Sequence, residues 1–207
     1  EPRQIGGGGE QCEVAAERLA TATRDAKLAV GLLWETPTVM ERFEGTGVID
    51  ADTCDEIGMV GVAARACGRA IDVRHDFPFG IYRFAHVPLM TAHHGDVNSR
   101  AFVRWLEMQR SSEFITEQLR TLPSTPVRVS AGAMASDSIV ASLTEGWRGE
   151  ICHVAITGSD GTFNRYKITD PSFHNWFGLA LALRGGQISD FPLCNKSFNL
   201  SYCGHDL

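Results

Sequence analysis

Small and apolar residues recur at three- and four-residue steps over two long stretches of the chain. From about residue 10 to 35, Ala15, Leu19, Ala22, Ala26, Ala29 and Leu33 form a narrow seam. From about 97 to 122, Ala101, Trp105, Met108, Ser112, Ile115, Leu119 and Leu122 repeat the spacing, and Arg104, Glu107, Arg110, Glu113 and Glu117 occupy the opposite face. That period places each set on one side of an α-helix. Each helix spans about 25 residues, roughly 37 Å at the standard rise. The two seams are expected to pack together as the spine of the fold. Thr36-Pro37 should break the first helix and Pro123 stop the second, while Asp96 caps its start.

After Glu145 the period changes to two. On one arm Cys152, Val154 and Ile156 face one way and Ile151, His153 and Ala155 the other. On the next, Phe163, Arg165 and Lys167 oppose Asn164, Tyr166 and Ile168. Between the arms Asp160-Gly161 predicts a hairpin turn. Residues 138–143 alternate weakly and predict a third strand. Asp170-Pro171 then starts a helix over 171–184, with Phe173, Phe177, Ala180 and Leu181 as its buried face and Gly185-Gly186 at its end. Shorter pieces lie between the long helices: an apolar turn at Val39-Met40-Phe43, a helix capped by Asp50 or Asp52, and a buried helix over 59–66. Residues 124–137, with Pro126, are loop. The pattern predicts an α+β, mainly helical chain, a long-helix bundle with a small antiparallel β-sheet, forming a single domain over 1–207.

With 207 residues and 43% hydrophobic content, the chain can bury one substantial core. A net charge of -6 and the lack of a basic cluster argue against a nucleic-acid partner. No apolar run approaches the ~18 residues of a membrane span. The start, Glu1-Pro2-Arg3, has no apolar core behind it and no initiator methionine, as expected of a trimmed chain without a signal peptide. The glycine run Gly6 to Gly9 lacks the Lys-Ser/Thr of a phosphate loop and reads as a flexible entry to the first helix.

Cysteines at 12, 54, 67, 152, 194 and 203 form no C-x-x-C pair and read as buried thiols in a reducing compartment. Adjacent His93 and His94 do not point at one metal, and Asp96 reads as a cap. Arg74 and Asp76 read as a surface pair, and Arg148 and Glu150 as a loop pair across Gly149. No nucleophile elbow, zinc-protease, Walker or dinucleotide pattern occurs, so NAD binding by this chain is not expected.

Several ordered motifs carry a family resemblance: Arg148-Gly149-Glu150, the Asp160-Gly161 turn, Arg165-Tyr166-Lys167-Ile168 and Pro171-Ser172-Phe173. Upstream, Thr46-Gly47-Val48-Ile49-Asp50 and a following G-x-V-G-x-x-A-R run ending at Arg65 belong to the same set, as does Arg74-His75-Asp76-Phe77-Pro78-Phe79. Together they resemble the C-terminal half of the large subunit of membrane-bound nickel–iron (NiFe) hydrogenases of the formate hydrogenlyase type. They are also similar to the 49-kDa-type subunit of respiratory NADH–quinone oxidoreductase. The resemblance implies a subunit of a redox complex, cytoplasmic and peripheral on the inner face of the cell membrane. It implies partners in a small iron–sulfur subunit, which carries the cluster, and in membrane subunits, with quinone as a candidate acceptor.

The hydrogenase centre needs four thiolates, soft donors that bind nickel and bridge to iron. In the register set by Asp190-Phe191-Pro192-Leu193, Ser201 and Gly204 occupy the positions of the C-terminal cysteine pair. Cys203 is one position off and Cys194 too distant. The resemblance with this departure implies no NiFe centre and no cofactor in the fragment. Arg74, Asp76, Arg148, Glu150, His205 and Asp206 would then line the vacated cavity. Two alternatives stay open: a hydrogenase with the atypical ligands Cys203, Cys194 and His205, and a scaffold subunit without chemistry, so enzymatic activity is undecided.

Overall fold

A computed structural model describes residues 8–123 and 129–205. Gly6 and Gly7 of the run Gly6 to Gly9, loop residues 124–128 and the candidate Asp206 lie outside these residues, while Gly8 and Gly9, expected as flexible entry, already belong to the first helix. The chain opens with α1 (Gly8–Trp34), followed across Thr36-Pro37 by α2 (Pro37–Phe43). Three short helices come next: α3 (Ala51–Glu56), α4 (Gly61–Ala66) and α5 (Val73–Asp76). Asp50 rather than Asp52 caps α3, its carboxylate accepting from the Thr53 amide. The second long helix, α6 (Val97–Thr121), starts at Asp96, which accepts from the Ser99 amide at 2.7 Å. This side-chain acceptor satisfies one of the unpaired amides of the first turn.

The strands are β1 (Ile139–Gly146), β2 (Gly149–Thr157) and β3 (Phe163–Thr169). They form an antiparallel meander in the order β1-β2-β3. Trp147 and Arg148 make the first turn, and Asp160-Gly161 the second, with Gly161 at φ +73° and Asp160 accepting from the Thr162 amide. The chain ends in α7 (Pro171–Ala182), α8 (Phe191–Phe198) and α9 (Tyr202–His205). Asp170 caps α7 as expected. The mainly helical fold with a small antiparallel sheet therefore matches the pattern in the sequence.

The distribution of buried residues differs from it. Ile49, Cys54, Met59, Ala63, Ala64, Cys67, Val97, Leu179, Ala182, Cys194, Phe198 and Leu200 form the main core. It lies among the short helices α3, α4, α7 and α8 and the start of α6, not between the two long helices. Helices α1 and α6 do pack together, through a Thr23–Ser112 hydroxyl bond of 2.7 Å and the rings of Trp34 and Phe102. Yet no described residue of α1 is fully buried.

The half-buried stripe of α1 is Cys12, Ala16, Leu19, Thr23, Ala26, Val30 and Trp34, while Ala15, Ala22, Ala29 and Leu33 turn outward. Both stripes share Leu19 and Ala26. A chain of small residues leaves two neighbouring stripes nearly equivalent, and Thr23 and Trp34, which have partners on α6, decide between them.

On α6, the sequence pattern puts Arg104 and Glu107 on the solvent face, but both turn inward. The first half of α6 is surrounded, burying Val97, Ser99, Arg100 and Val103. Only farther along do Arg110, Glu113 and Glu117 reach solvent. On α7 the buried side is Ser172, Asn175, Gly178, Leu179 and Ala182, whereas Phe173, Phe177 and Ala180 are exposed. Close approach explains this reversal: a Cβ on Gly178 would sit 2.8 Å from Met59 Sδ. Small residues face the core there because large ones do not fit.

Candidate functional site

Two glycines set the geometry of the Trp147-Arg148 turn. Gly61, at φ +65°, presses the start of α4 onto it, and a Cβ there would lie 2.3 Å from the Arg148 carbonyl oxygen. Gly149, at φ +137°, faces it from the other side. Only glycine tolerates both the left-handed backbone and the contact. Asn175 of α7 locks the joint from behind: its Oδ1 accepts from the Val60 amide at 3.0 Å, and its Nδ2 donates to the Val60 carbonyl at 3.1 Å. The turn thus carries Arg148 to the end of α8, where its Nε donates to the carbonyl of Asn199.

Two further arginines reach the same helix end. Arg104 donates from its two terminal nitrogens to the carbonyls of Ser197 and Phe198. Arg100 Nε donates to Ser197 Oγ at 2.9 Å, and its other nitrogens to the carbonyls of Gly95 and Gly47 at 2.6 and 3.0 Å. Cations belong at a helix C-terminus, where carbonyls lack partners. Burial depresses Arg100 to about 10; burial and then the neighbouring Arg100 charge bring Arg104 to about 10 as well.

A second charged cluster lies across α4, α5, α6 and β1. Arg65, 1% exposed, donates through Nε to Glu107 at 2.6 Å and through Nη1 to both Glu145 at 2.9 Å and the Ile71 carbonyl at 2.7 Å. Asp72 lies 3.5 Å away and pairs with Arg74 at 2.6 Å. Burial raises the Glu145 carboxyl above the usual range, with Arg65 opposing. Burial also acts on Asp72, but hydrogen bonds and charge from Arg74 and Arg65 outweigh it and hold that carboxyl low. Arg65, Arg74, Glu107 and Glu145 share the lining of a cleft of about 410 Å³ beside α1.

The expected cavity residues are spread over separate places. Arg74 joins the Arg65 cluster. It pairs with Asp72, not with Asp76 as expected, because Asp72 caps α5 and so stands beside it. Asp76 accepts from the Asp72 amide and contacts His75. Arg148 belongs to the α8 end and makes no ion pair with Glu150 among the described residues. Glu150 is half-buried on β2 opposite Glu145. His205 lies against the rings of Phe173 and Trp176.

Residues 10–139 match the family described as "Respiratory-chain NADH dehydrogenase, 49 Kd subunit". The chain belongs to this family. Among curated relatives of the 49 Kd-family chain, a carbon monoxide-induced hydrogenase of Rhodospirillum rubrum is 32% identical over 183 residues, covering 88% of this chain and 50% of the relative. Formate hydrogenlyase subunit 5 of Escherichia coli (strain K12) is 30% identical, over 86% of this chain and 32% of that one. An NADH-quinone oxidoreductase subunit of Solibacter usitatus (strain Ellin6076) is 31% identical, over 72% and 41%. The chain thus spans half the length or less of these relatives. The fold matches a chain of the membrane-bound sulfane sulfur reductase, an archaeal respiratory membrane complex. The TM-score is 0.85 at 24% identity, covering 98% of this chain and 56% of the other.

The hydrogenase relatives make the donor set at the end of this 49 Kd-family chain a direct question. Ser201 is tied into the fold: its amide donates to Ser172 Oγ at 2.9 Å and its hydroxyl accepts from the Gly204 amide at 3.0 Å. Gly204 is pressed onto Asp170, so a Cβ there would lie 2.6 Å from Asp170 Cγ. Cys203 is exposed, and Cys194 is buried in the core, where burial raises its thiol. A hydroxyl and a glycine at the two expected sulfur positions do not fit a bimetallic centre held by thiolates. Among the described residues no three His, Cys, Asp or Glu side chains gather as a metal site.

The sequence pattern does not single out Arg65, Arg100, Glu107 or Glu145 as site residues of this 49 Kd-family chain. One signal is available: Arg65 interrupts the apolar run Val62-Ala63-Ala64-Arg65-Ala66, and a charge in a buried helix needs partners. Which carboxylates supply them is a matter of tertiary structure.

Proposed function

We propose that this chain is the C-terminal part of a 49 Kd-type large subunit that works without a NiFe centre in a membrane-associated redox complex. The observation that carries the reading is the pair Ser201 and Gly204, with Asp170 filling the space a cysteine side chain at 204 would need. Soft anionic sulfur is what nickel requires, and a serine hydroxyl does not deprotonate to replace it. The named relatives support the setting, since they include hydrogenase and NADH-quinone oxidoreductase subunits.

In this reading an iron–sulfur partner subunit carries electrons, membrane subunits anchor the assembly at the inner face, and quinone is the candidate acceptor. The absence, among the described residues, of any helix long and apolar enough to cross a membrane is compatible with attachment through partners. The residues of this chain supply charge rather than a metal. Arg148, held at the α8 end, offers a fixed cation, and the Arg65 cluster offers the Glu145 carboxylate, whose protonation burial favours. Metal analysis of the purified intact complex tests the proposal. Iron in cluster stoichiometry with nickel at background, together with hydrogen-independent reduction of a soluble quinone, is expected. Stoichiometric nickel with hydrogen uptake would overturn it.

A further inference from the structure

The hydrogen bonds of the arginines at the end of α8 go to neutral oxygens among the described residues. Among the described residues, no carboxylate lies within ion-pair distance of Arg100, Arg104, Arg148 or Lys196. The carboxylates nearby are committed elsewhere. Glu107 grips Arg65 with both oxygens, at 2.6 and 3.4 Å. Asp96 accepts from the amides of Ser99 and Gly45. Asp190 accepts from Arg42 and from the Gln187 amide. Buried charge is normally paired, so a group of arginines without a counter-ion among the described residues is unfinished electrostatically. Arg104 is also incomplete as a donor, because its Nε is buried and has no acceptor.

Arg104 and Lys196 line a cleft of about 290 Å³ between α1, α2, α6, the Trp147 turn and α8. Its other walls include Trp34, Phe43, Trp105 and Trp147, so it is aromatic around a cationic lining. The Arg104 guanidinium lies 5.7 Å from the Trp147 ring centroid. Small-molecule sites combine largely apolar walls with a few polar groups, and volumes of roughly 300 Å³ are at their lower end. We propose that this cleft binds an apolar organic anion, a flat ring-bearing acid whose ring lies among the tryptophans and whose anionic group accepts from Arg104 and Lys196. The ligand supplies a counter-charge to the cationic lining. This inference is independent of whether a metal is present, so it stands or falls apart from the proposed function.

The test compares anilinonaphthalene sulfonate with its uncharged parent, N-phenylnaphthylamine, on the intact protein. Binding is followed by energy transfer from tryptophan. The sulfonate should bind the wild-type protein more tightly than the parent. Arg104→Gln should weaken the sulfonate by roughly tenfold or more, the loss expected for a charge-assisted hydrogen bond in a partly dry site, and leave the parent unchanged. Lys196→Gln, at an exposed position, should weaken it by about two- to fivefold. Equal affinity of the two probes overturns the proposal, as does sulfonate affinity unchanged in both variants. Because Arg104 also caps α8, circular dichroism checks that variant's fold. If it does not fold, Lys196→Gln decides alone, and a change of less than about twofold overturns the proposal.

Discussion

Removing the Arg65 guanidinium probes the charged cluster directly. In Arg65→Met three carboxylates lose their common partner, but not equally. Asp72 keeps Arg74 at 2.6 Å. The Glu107 side chain is 18% exposed and can recover water. Glu145, 4% exposed, loses its cation and keeps the Val73 amide as a hydrogen-bond donor. One buried carboxylate without its cation costs about 3–5 kcal/mol, and that is the destabilisation expected. The cost should depend on pH with a definite sign. Burial already sets the folded Glu145 pKa above 4.5, with Arg65 opposing, so losing Arg65 moves it further up. A raised carboxyl contributes stability below its unfolded pKa and loses it as pH rises through the folded value. The penalty should therefore be largest near about pH 8 and shrink toward about pH 5. Urea unfolding followed by tryptophan fluorescence measures it. Adding Glu145→Gln to the variant should return about 1–3 kcal/mol at the higher pH, as expected for coupled neighbours. A single-variant loss below about 1 kcal/mol, or strict additivity in the double variant, would refute the account of Arg65 as the counter-charge of Glu145.

Three other outcomes follow from contacts already described. Gly61→Ala places a Cβ 2.3 Å from the Arg148 carbonyl at φ +65° and should cost about 2 kcal/mol or more in a denaturant melt. Asp96→Ala removes the acceptor of the Ser99 and Gly45 amides and should cost about 1–2 kcal/mol at neutral pH. Burial raises the Asp96 carboxyl, but those amides outweigh it and keep it below 3.8, so its contribution is present above that value and lost as pH falls through the lower folded one. The gap between wild type and this variant should accordingly close in an acid titration. Gly204→Cys should lower stability by about 1–3 kcal/mol, because its Cβ meets Asp170, the cap of α7; a neutral effect in thermal unfolding would contradict the packing.

Most elements were legible because their signals are local. Thr36-Pro37, Asp96, Asp160-Gly161 and Asp170-Pro171 mark boundaries through backbone chemistry that acts within a few residues. Facing was less legible. Phe173 and Phe177 have the spacing of a buried stripe, but Gly178 meets Met59 too closely for large side chains to face the core. Arg104 and Glu107 have the spacing of solvated charges, but one caps α8 and the other meets Arg65. Of the residues expected to line a cavity, Arg74 and Arg148 sit in charged clusters whose other members, Arg65 apart, carry no comparable signal in the sequence.

The order of residues by itself determined where helices and strands begin and end, the family, and the kinds of donor atom near the C-terminus. Those depend on side-chain identity and on interactions between near neighbours. Only the tertiary structure decided which long-helix stripe is half-buried, that the core lies among the short helices, and which charges meet. These outcomes depend on contacts between residues far apart in the chain: Arg65 finds Glu145, and Arg104 finds Ser197 and Phe198. No periodicity along one segment encodes such a meeting, because the energy of a buried charge is set by whichever partner the packing brings to it.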